Sequence, residues 1–178
     1  MKRAIFPGSF DPFTIGHYDI VVRGLDIFDE IVIGIGKNSQ KTTTFSLEER
    51  MAAIQQAFAH EPRVKVEVYE GLTIDFAAQH DSKHILRGVR SVKDFEYERD
   101  IAEANKQLSG IETVVLYTRP ELAHISSSLV RELYAYGKDI SDMIPSRSAS
   151  RSQRMTLTSL GDDCLRSPHK LQICGDPD

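Results

Sequence analysis

The sequence predicts an α/β fold, an open parallel sheet of five strands with helices on both faces. Three observations carry that prediction. Five short runs have strand character, either continuously apolar or alternating, and helix-like apolar stripes follow them. Strand and helix patterns alternate along the chain instead of segregating, which makes neighbouring strands parallel and buries both faces of the sheet. Polar segments rich in Gly, Ser, Lys or Arg fall just after the strands, at the end where open α/β sheets bind ligands.

Residues 2–6 open the chain as a buried strand with the apolar run Ala4, Ile5 and Phe6. Pro7, Gly8 and Pro12 punctuate a turn, and residues 16–29 form a helix whose apolar side carries Ile20, Val21, Val22, Leu25 and Phe28. Ile31 to Gly36 is the second strand, followed by a polar loop from Lys37 to Thr44. Ser46 and Glu49 form a capping box ahead of a stripe of Leu47, Met51, Ile54 and Phe58. Val64 to Tyr69 alternates as a third strand, a short helix starts at Thr73, and His84 to Arg87 is a compact fourth strand. Asp94 to Leu108 is helical, with Phe95, Ala102 and Leu108 on its apolar side. Thr113 to Tyr117 is the fifth strand and Ser126 to Tyr136 the last helix.

At 178 residues the chain holds one sizeable core and is too short for two ordinary domains. It is 40% hydrophobic and 27% charged, a globular composition, and its net charge of -4 disfavours a general nucleic-acid or anionic-membrane binder. Lys2 and Arg3 precede too few apolar residues for a signal-peptide core, and no run approaches a membrane span, so a cytoplasmic location is expected. Cys164 and Cys174 have no second pair with which to form a zinc site. Both lie in the segment 146–178, whose Ser/Arg-rich start reads as a disordered or loosely attached extension to a domain of residues 1–145.

Gly8 lets the backbone approach a ligand closely, and Gly16-His17 opens a helix, where free N–H groups and the positive dipole end attract phosphate. A tight connection with a capping or core histidine would explain the same residues. Arg87 and Arg90 bracket Gly88 at a strand end and suit phosphate, or they pair with the acidic residues Asp94, Glu96, Glu98 and Asp100. Glu98 and Asn105, seven residues apart, share a helix direction and either face a cleft or are solvated. Ser126, Ser127 and Ser128 cap a helix start, though three exceed what capping needs. Lys41, in a basic loop, is a solvating group or an anion ligand.

The string Gly8-Ser9-Phe10-Asp11-Pro12, followed by Thr14-Ile15-Gly16-His17, resembles the signature of the nucleotidyltransferase superfamily with a His- or Thr-x-Gly-His motif. Arg87-Gly88-Val89-Arg90 through Glu98, the Phe45 to Arg50 string and Ile125-Ser126-Ser127-Ser128 are similar to the bacterial phosphopantetheine adenylyltransferases. The resemblance covers residues 1–145 and implies a Rossmann-like nucleotidyltransferase fold and transfer of AMP from ATP to 4′-phosphopantetheine. It assigns Ser9, Lys41 and Arg87 to the acceptor phosphate, and Leu72, Thr73 and Asn105 to the pantetheine side. It assigns Ser9, Phe10, His17, Gly88, Val89, Arg90 and Glu98 to ATP, together with Leu122, Ala123, His124, Ile125 and the three serines. His17, Lys41 and Arg90 are the expected catalytic groups, His17 acting on the α- and β-phosphates.

The reaction needs no covalent intermediate and no strong general base, because the acceptor phosphate is already an anion. Its barrier is repulsion between two polyanions, which positioned donors relieve. Mg2+ is expected to bridge phosphate oxygens, held by substrate and water with no protein ligand cluster. The resemblance further implies a homo-hexamer and feedback binding of coenzyme A. The competing readings are another nucleotidyltransferase of the superfamily, acting on nicotinamide mononucleotide or with CTP, and a catalytically silent nucleotide-binding regulator. His17, taken as carrying little packing, is expected to tolerate replacement by alanine without harm to the fold.

Overall fold

The computed structural model describes residues 1–37 and 42–145. Lys41 and the segment 146–178 lie outside the described residues. The strands are β1 (Arg3–Gly8), β2 (Glu30–Gly36), β3 (Val64–Tyr69), β4 (His84–Val89) and β5 (Glu112–Tyr117). The helices between and after them are α1 (Ile15–Gly24), α2 (Leu47–Ala57), α3 (Thr73–Gln79), α4 (Val92–Ser109) and α5 (Ser127–Ala135). The sheet runs β3-β2-β1-β4-β5 with every pairing parallel, so the order reverses at β1 and β4. That switch point is where an open sheet leaves a crevice at its carboxyl edge.

Strand alternation divides the core between the two faces. Ala4, Phe6, Ile31, Ile33 and Leu86 pack with α1 and α2 residues such as Val21 and Ile54. Ile5, Val32 and Ile85 pack on the other face with Phe76 and Ala77 of α3. A smaller cluster of Ile125, Val130 and Ile140 anchors α5. At the opposite rim Glu30 is buried between Arg3 and Lys65, which hold its carboxyl below the usual carboxylate range against the cost of burial.

Four elements differ from the sequence expectation. The helix expected over 16–29 is shorter: α1 stops at Gly24, where a Cβ would lie 2.7 Å from Leu86 Cδ2 and 2.8 Å from Ile31 Cδ1. The helix end therefore presses onto the sheet and the chain must turn before entering β2. β1 runs through Pro7 to Gly8, so the turn begins only at Ser9. Pro7 is tolerated because its carbonyl faces Arg87 Nη1 at 2.5 Å, on the side away from β2, so the missing N–H falls on that side too. β4 runs to Val89, placing Arg87 and Gly88 inside the strand, paired with Val115 and Leu116. On α4 the expected apolar side is not buried: Phe95 is 37% and Leu108 73% exposed, while Glu98 is buried. Among the described residues no helix is long and apolar enough to cross a membrane.

Candidate active site

The connection from β1 to α1 is held from every side. Phe10 adopts a left-handed backbone conformation, φ 47°, and its ring folds over Gly8, where a Cβ would lie 2.8 Å from Phe10 Cε1 and Cζ. The Asp11 carboxylate accepts the backbone N–H groups of Thr44 at 3.0 Å and Phe45 at 2.9 Å. The loop's own carbonyls are engaged by side chains from two helices. Arg50 Nη1 donates to Ser9 O (2.6 Å), Arg131 Nη1 to Asp11 O (2.6 Å) and Ser127 Oγ to Pro12 O (2.9 Å).

Thr14 caps α1, and the residue that completes the capping box is His17 instead of the usual Glu or Gln. The Thr14 N–H donates to His17 Nδ1 at 3.0 Å, which leaves the ring proton on Nε2. The imidazole stands against the rings of Phe6, Phe10 and Phe13, at centroid distances of 6.2, 5.3 and 5.4 Å. Burial among them, reinforced by the charges of Arg87 and Arg90, lowers the His17 pKa to about 4. At neutral pH the ring is an uncharged Nε2–H donor. Contrary to the sequence expectation, His17 is both a cap and a packing group.

Arg87 and Glu98 form a bidentate pair, Nε to Oε2 at 2.8 Å and Nη2 to Oε1 at 2.5 Å. With Nη1 on Pro7 O, three of the five guanidinium N–H groups are committed and two remain for a ligand. Arg90 is steadied by Asp94, whose Oδ2 accepts from Arg90 Nε at 3.0 Å and from its backbone N–H at 3.2 Å. The acidic-helix pairing weighed from the sequence is therefore present, and it leaves both arginines with unused donors.

Two hollows meet at these residues. The larger, about 850 Å3, has Gly8 and Ser9 on one side, Gly71 and Thr73 on another, and Ala102 and Asn105 of α4 opposite. The smaller, about 470 Å3, is lined by His17, Gly88, Arg90, Lys93 and Asp94. Arg87, Tyr97 and Glu98 belong to both, so one wall separates two compartments. Tyr97, 66% exposed, is a wall residue that sequence reasoning did not single out, although it lies inside the Arg87 to Glu98 stretch that carries the resemblance.

Other expected residues are placed differently. Leu72 is the N-cap position of α3 and is exposed, while the Thr73 hydroxyl pairs with Tyr69 Oη at 2.9 Å. The side chains of Phe10, Val89 and Ile125 are buried, which leaves their backbones as the groups a ligand could meet. Leu122 ends a 3₁₀ turn and Ala123 and His124 follow it, outside the lining of both hollows. Ser126 caps α5 by accepting from Leu129 N at 3.1 Å, and Ser128 Oγ accepts from Arg131 Nη2 at 3.1 Å. None of the three serines lines either of these two hollows, but Ser127 and Arg131 fasten the start of α5 to the loop that precedes His17. Asp11 and Arg50 were not singled out from the sequence as site residues. Charged residues are buried when the fold supplies partners, which their position in the chain does not reveal.

Among the described residues no group of three or more His, Cys, Asp or Glu stands together to hold a metal ion. The cytidylyltransferase-like family model matches residues 5–133. The phosphopantetheine adenylyltransferase of Bacteroides fragilis is 59% identical over 145 residues, covering 82% of this chain and 97% of that protein. That of Phocaeicola vulgatus is 56% identical over 145 residues, covering 82% and 96%. Among solved structures, a bifunctional NMN adenylyltransferase/ADP ribose pyrophosphatase of Francisella tularensis, complexed with AMP and a manganese ion, superposes with a TM-score of 0.63 at 14% identity. The match spans 83% of this chain and 45% of that one. That likeness is one of fold.

Proposed function

Since the chain belongs to the cytidylyltransferase-like family of nucleotidyltransferases, and within it to the phosphopantetheine adenylyltransferases, we propose that its paired hollows bring ATP and 4′-phosphopantetheine end to end. The protein is an adenylyltransferase of coenzyme A biosynthesis: AMP passes from ATP to the acceptor's phosphate, giving dephospho-coenzyme A and pyrophosphate. The observation that carries the assignment of compartments is the shared wall of Arg87, Tyr97 and Glu98, with His17 on one side and Asn105 on the other. On this reading the larger hollow takes the pantetheine arm and the smaller one the triphosphate.

An oxygen of the acceptor phosphate attacks the α-phosphorus while the bond from that phosphorus to the bridging β-oxygen breaks, and pyrophosphate leaves with the electron pair. The neutral His17 donates Nε2–H to the α- and β-phosphate oxygens, and because it stays uncharged it loses no proton to them. Arg87 offers its two uncommitted N–H groups to the acceptor phosphate, joined in this role by Lys41, and Arg90 with Ser126, Ser127 and Ser128 serves the nucleotide. Catalysis on this scheme is positioning and charge relief.

Mg2+ would supply further charge neutralisation. We further read the enzyme as cytoplasmic and as a homo-hexamer, which the family resemblance supports, with coenzyme A competing for the larger hollow through the arm it shares with the acceptor.

Pyrophosphate release tests the reading, with ATP and phosphopantetheine set against nicotinamide mononucleotide as acceptor and CTP as donor. Turnover confined to ATP with phosphopantetheine is expected. Nucleotide binding without release, or preference for another acceptor, would overturn it.

A further inference from the structure

Among the described residues, Arg50 is a buried cation that no carboxylate answers. It is 6% exposed, in the first turns of α2, and its guanidinium is spent on two carbonyls: Ser46 O receives Nε at 3.2 Å and Ser9 O receives Nη1 at 2.6 Å. Among the described residues no carboxylate forms an ion pair with it. The other buried charges are each answered: Glu98 by Arg87, Glu30 by Arg3 and Lys65, and Asp11 by two backbone N–H groups. An unanswered buried charge costs several kcal/mol on the order-of-magnitude scale for desolvated ions, so its retention calls for a counter-charge nearby.

The geometry puts that counter-charge one peptide unit away. Ser9 lines the larger hollow and the Phe10 ring packs 5.3 Å from His17 of the smaller one, so their peptide lies where the two meet, and because it is trans its carbonyl and its N–H point in opposite directions. With the Ser9 carbonyl pulled toward α2 by Arg50, the Phe10 N–H faces the other way, and the left-handed backbone of Phe10 keeps it there. A cation on the carbonyl also polarises the peptide, which strengthens the opposite N–H as a donor. We propose that Arg50 is a positioning residue for the adenylyl transfer, holding the Ser9–Phe10 peptide so that the Phe10 N–H is presented to the phosphates of ATP. Its charge is balanced, across that peptide, by the polyanion itself.

The inference rests on the functional reading above and is tested with the full chain. Pyrophosphate release is measured for the wild type, Arg50→Lys and Arg50→Gln, varying ATP and phosphopantetheine separately and recording melting temperatures alongside. The expected kcat/KM for ATP falls about 10-fold in Arg50→Lys and on the order of 100-fold in Arg50→Gln, with KM for the acceptor within about 3-fold of wild type. A merely structural role would not separate the two substrates. A folded Arg50→Lys with wild-type kcat/KM for ATP overturns the proposal, and so does a loss shared equally by both substrates. If Arg50→Gln does not fold, Arg50→Lys decides alone. If the wild type itself releases no pyrophosphate, the functional reading is what fails. Arg50 is then judged by calorimetric titration of inorganic pyrophosphate, expected to bind the wild type about 10-fold more tightly than Arg50→Lys, with equal binding overturning the proposal.

Discussion

His17 Nδ1 accepts the backbone N–H of Thr14 at 3.0 Å, and this one contact decides what the histidine can do. It spends the ring's lone pair on the start of its own helix, so the nitrogen left for a ligand is a donor and cannot act as a base.

The depressed His17 pKa has a definite consequence for stability. Between histidine's ordinary value of 6.5 and about 4, the unfolded chain binds a proton that the folded chain excludes. The site's contribution is therefore complete above pH 6.5 and is lost as the pH falls toward 4, at most about 3 kcal/mol by linkage. His17→Gln keeps a capping-box side chain but has no imidazole, so its urea-unfolding free energy should fall less steeply between pH 6.5 and 4 than that of the wild type. Any inflection of kcat near pH 6.5 belongs to the substrates' phosphates, whose second ionisation lies at about 6, and should persist in His17→Gln, whereas its disappearance in that variant would mean that the ring changes charge during turnover.

Gly8 is required by space. A methyl there would meet the buried Phe10 ring at 2.8 Å, and the ring is boxed in by Phe6, Phe13 and His17. Gly8→Ala should cost about 1–3 kcal/mol by overpacking, read as a lower urea midpoint with unchanged slope. It should also lower turnover, because displacing that ring displaces the imidazole packed on its edge.

The number of strands and their alternation with helices were legible because alternation and short apolar runs survive in β2, β3 and β5, and the capping box of Ser46 and Glu49 marked α2 unambiguously. The ends of β1 and β4 were not. Pro7 and Gly88, which lie past the expected ends, have no strand signature, and they stay in the sheet through backbone pairing with Gly34 and Leu116 of the neighbouring strands. The sequence left His17 open between a capping or core residue and a phosphate donor, because the capping-box pattern expects Glu or Gln at that position. The shared direction of Glu98 and Asn105 followed from helical spacing, but the partner of Glu98 lies 11 residues away on a strand. Which charges are buried depends on such long-range partners, and local pattern carries no trace of them.

The Arg87–Glu98 pair is held in two hydrogen bonds with its carboxylate 9% exposed, so it should behave as a coupled unit. Glu98→Gln leaves a guanidinium without its counter-charge and should cost about 1–3 kcal/mol, reduced from the fully buried case because Arg87 is partly exposed. In a double-mutant cycle with Arg87→Met, the two losses should fall short of additivity by about 1–2 kcal/mol in urea unfolding. Strict additivity would show that the pair contributes nothing beyond its separate side chains.

Asp11 joins the loop between β1 and α1 to the approach of α2, accepting from Thr44 and Phe45 with separate carboxylate oxygens, Oδ2 and Oδ1. Arg50 returns the connection by reaching Ser9, so the two segments are clasped in both directions. Asp11→Ala strands both N–H groups, and the Phe45 bond is buried, so the loss should be about 2–3 kcal/mol. Asp11→Asn keeps one acceptor oxygen and should lose roughly half of that. Hydrogen exchange separates the cases: the Thr44 and Phe45 amides should both exchange faster in Asp11→Ala, and only one of them in Asp11→Asn. Unchanged protection at both amides in Asp11→Ala would mean that α2 is docked by its apolar stripe alone, with the carboxylate contributing nothing to the clasp.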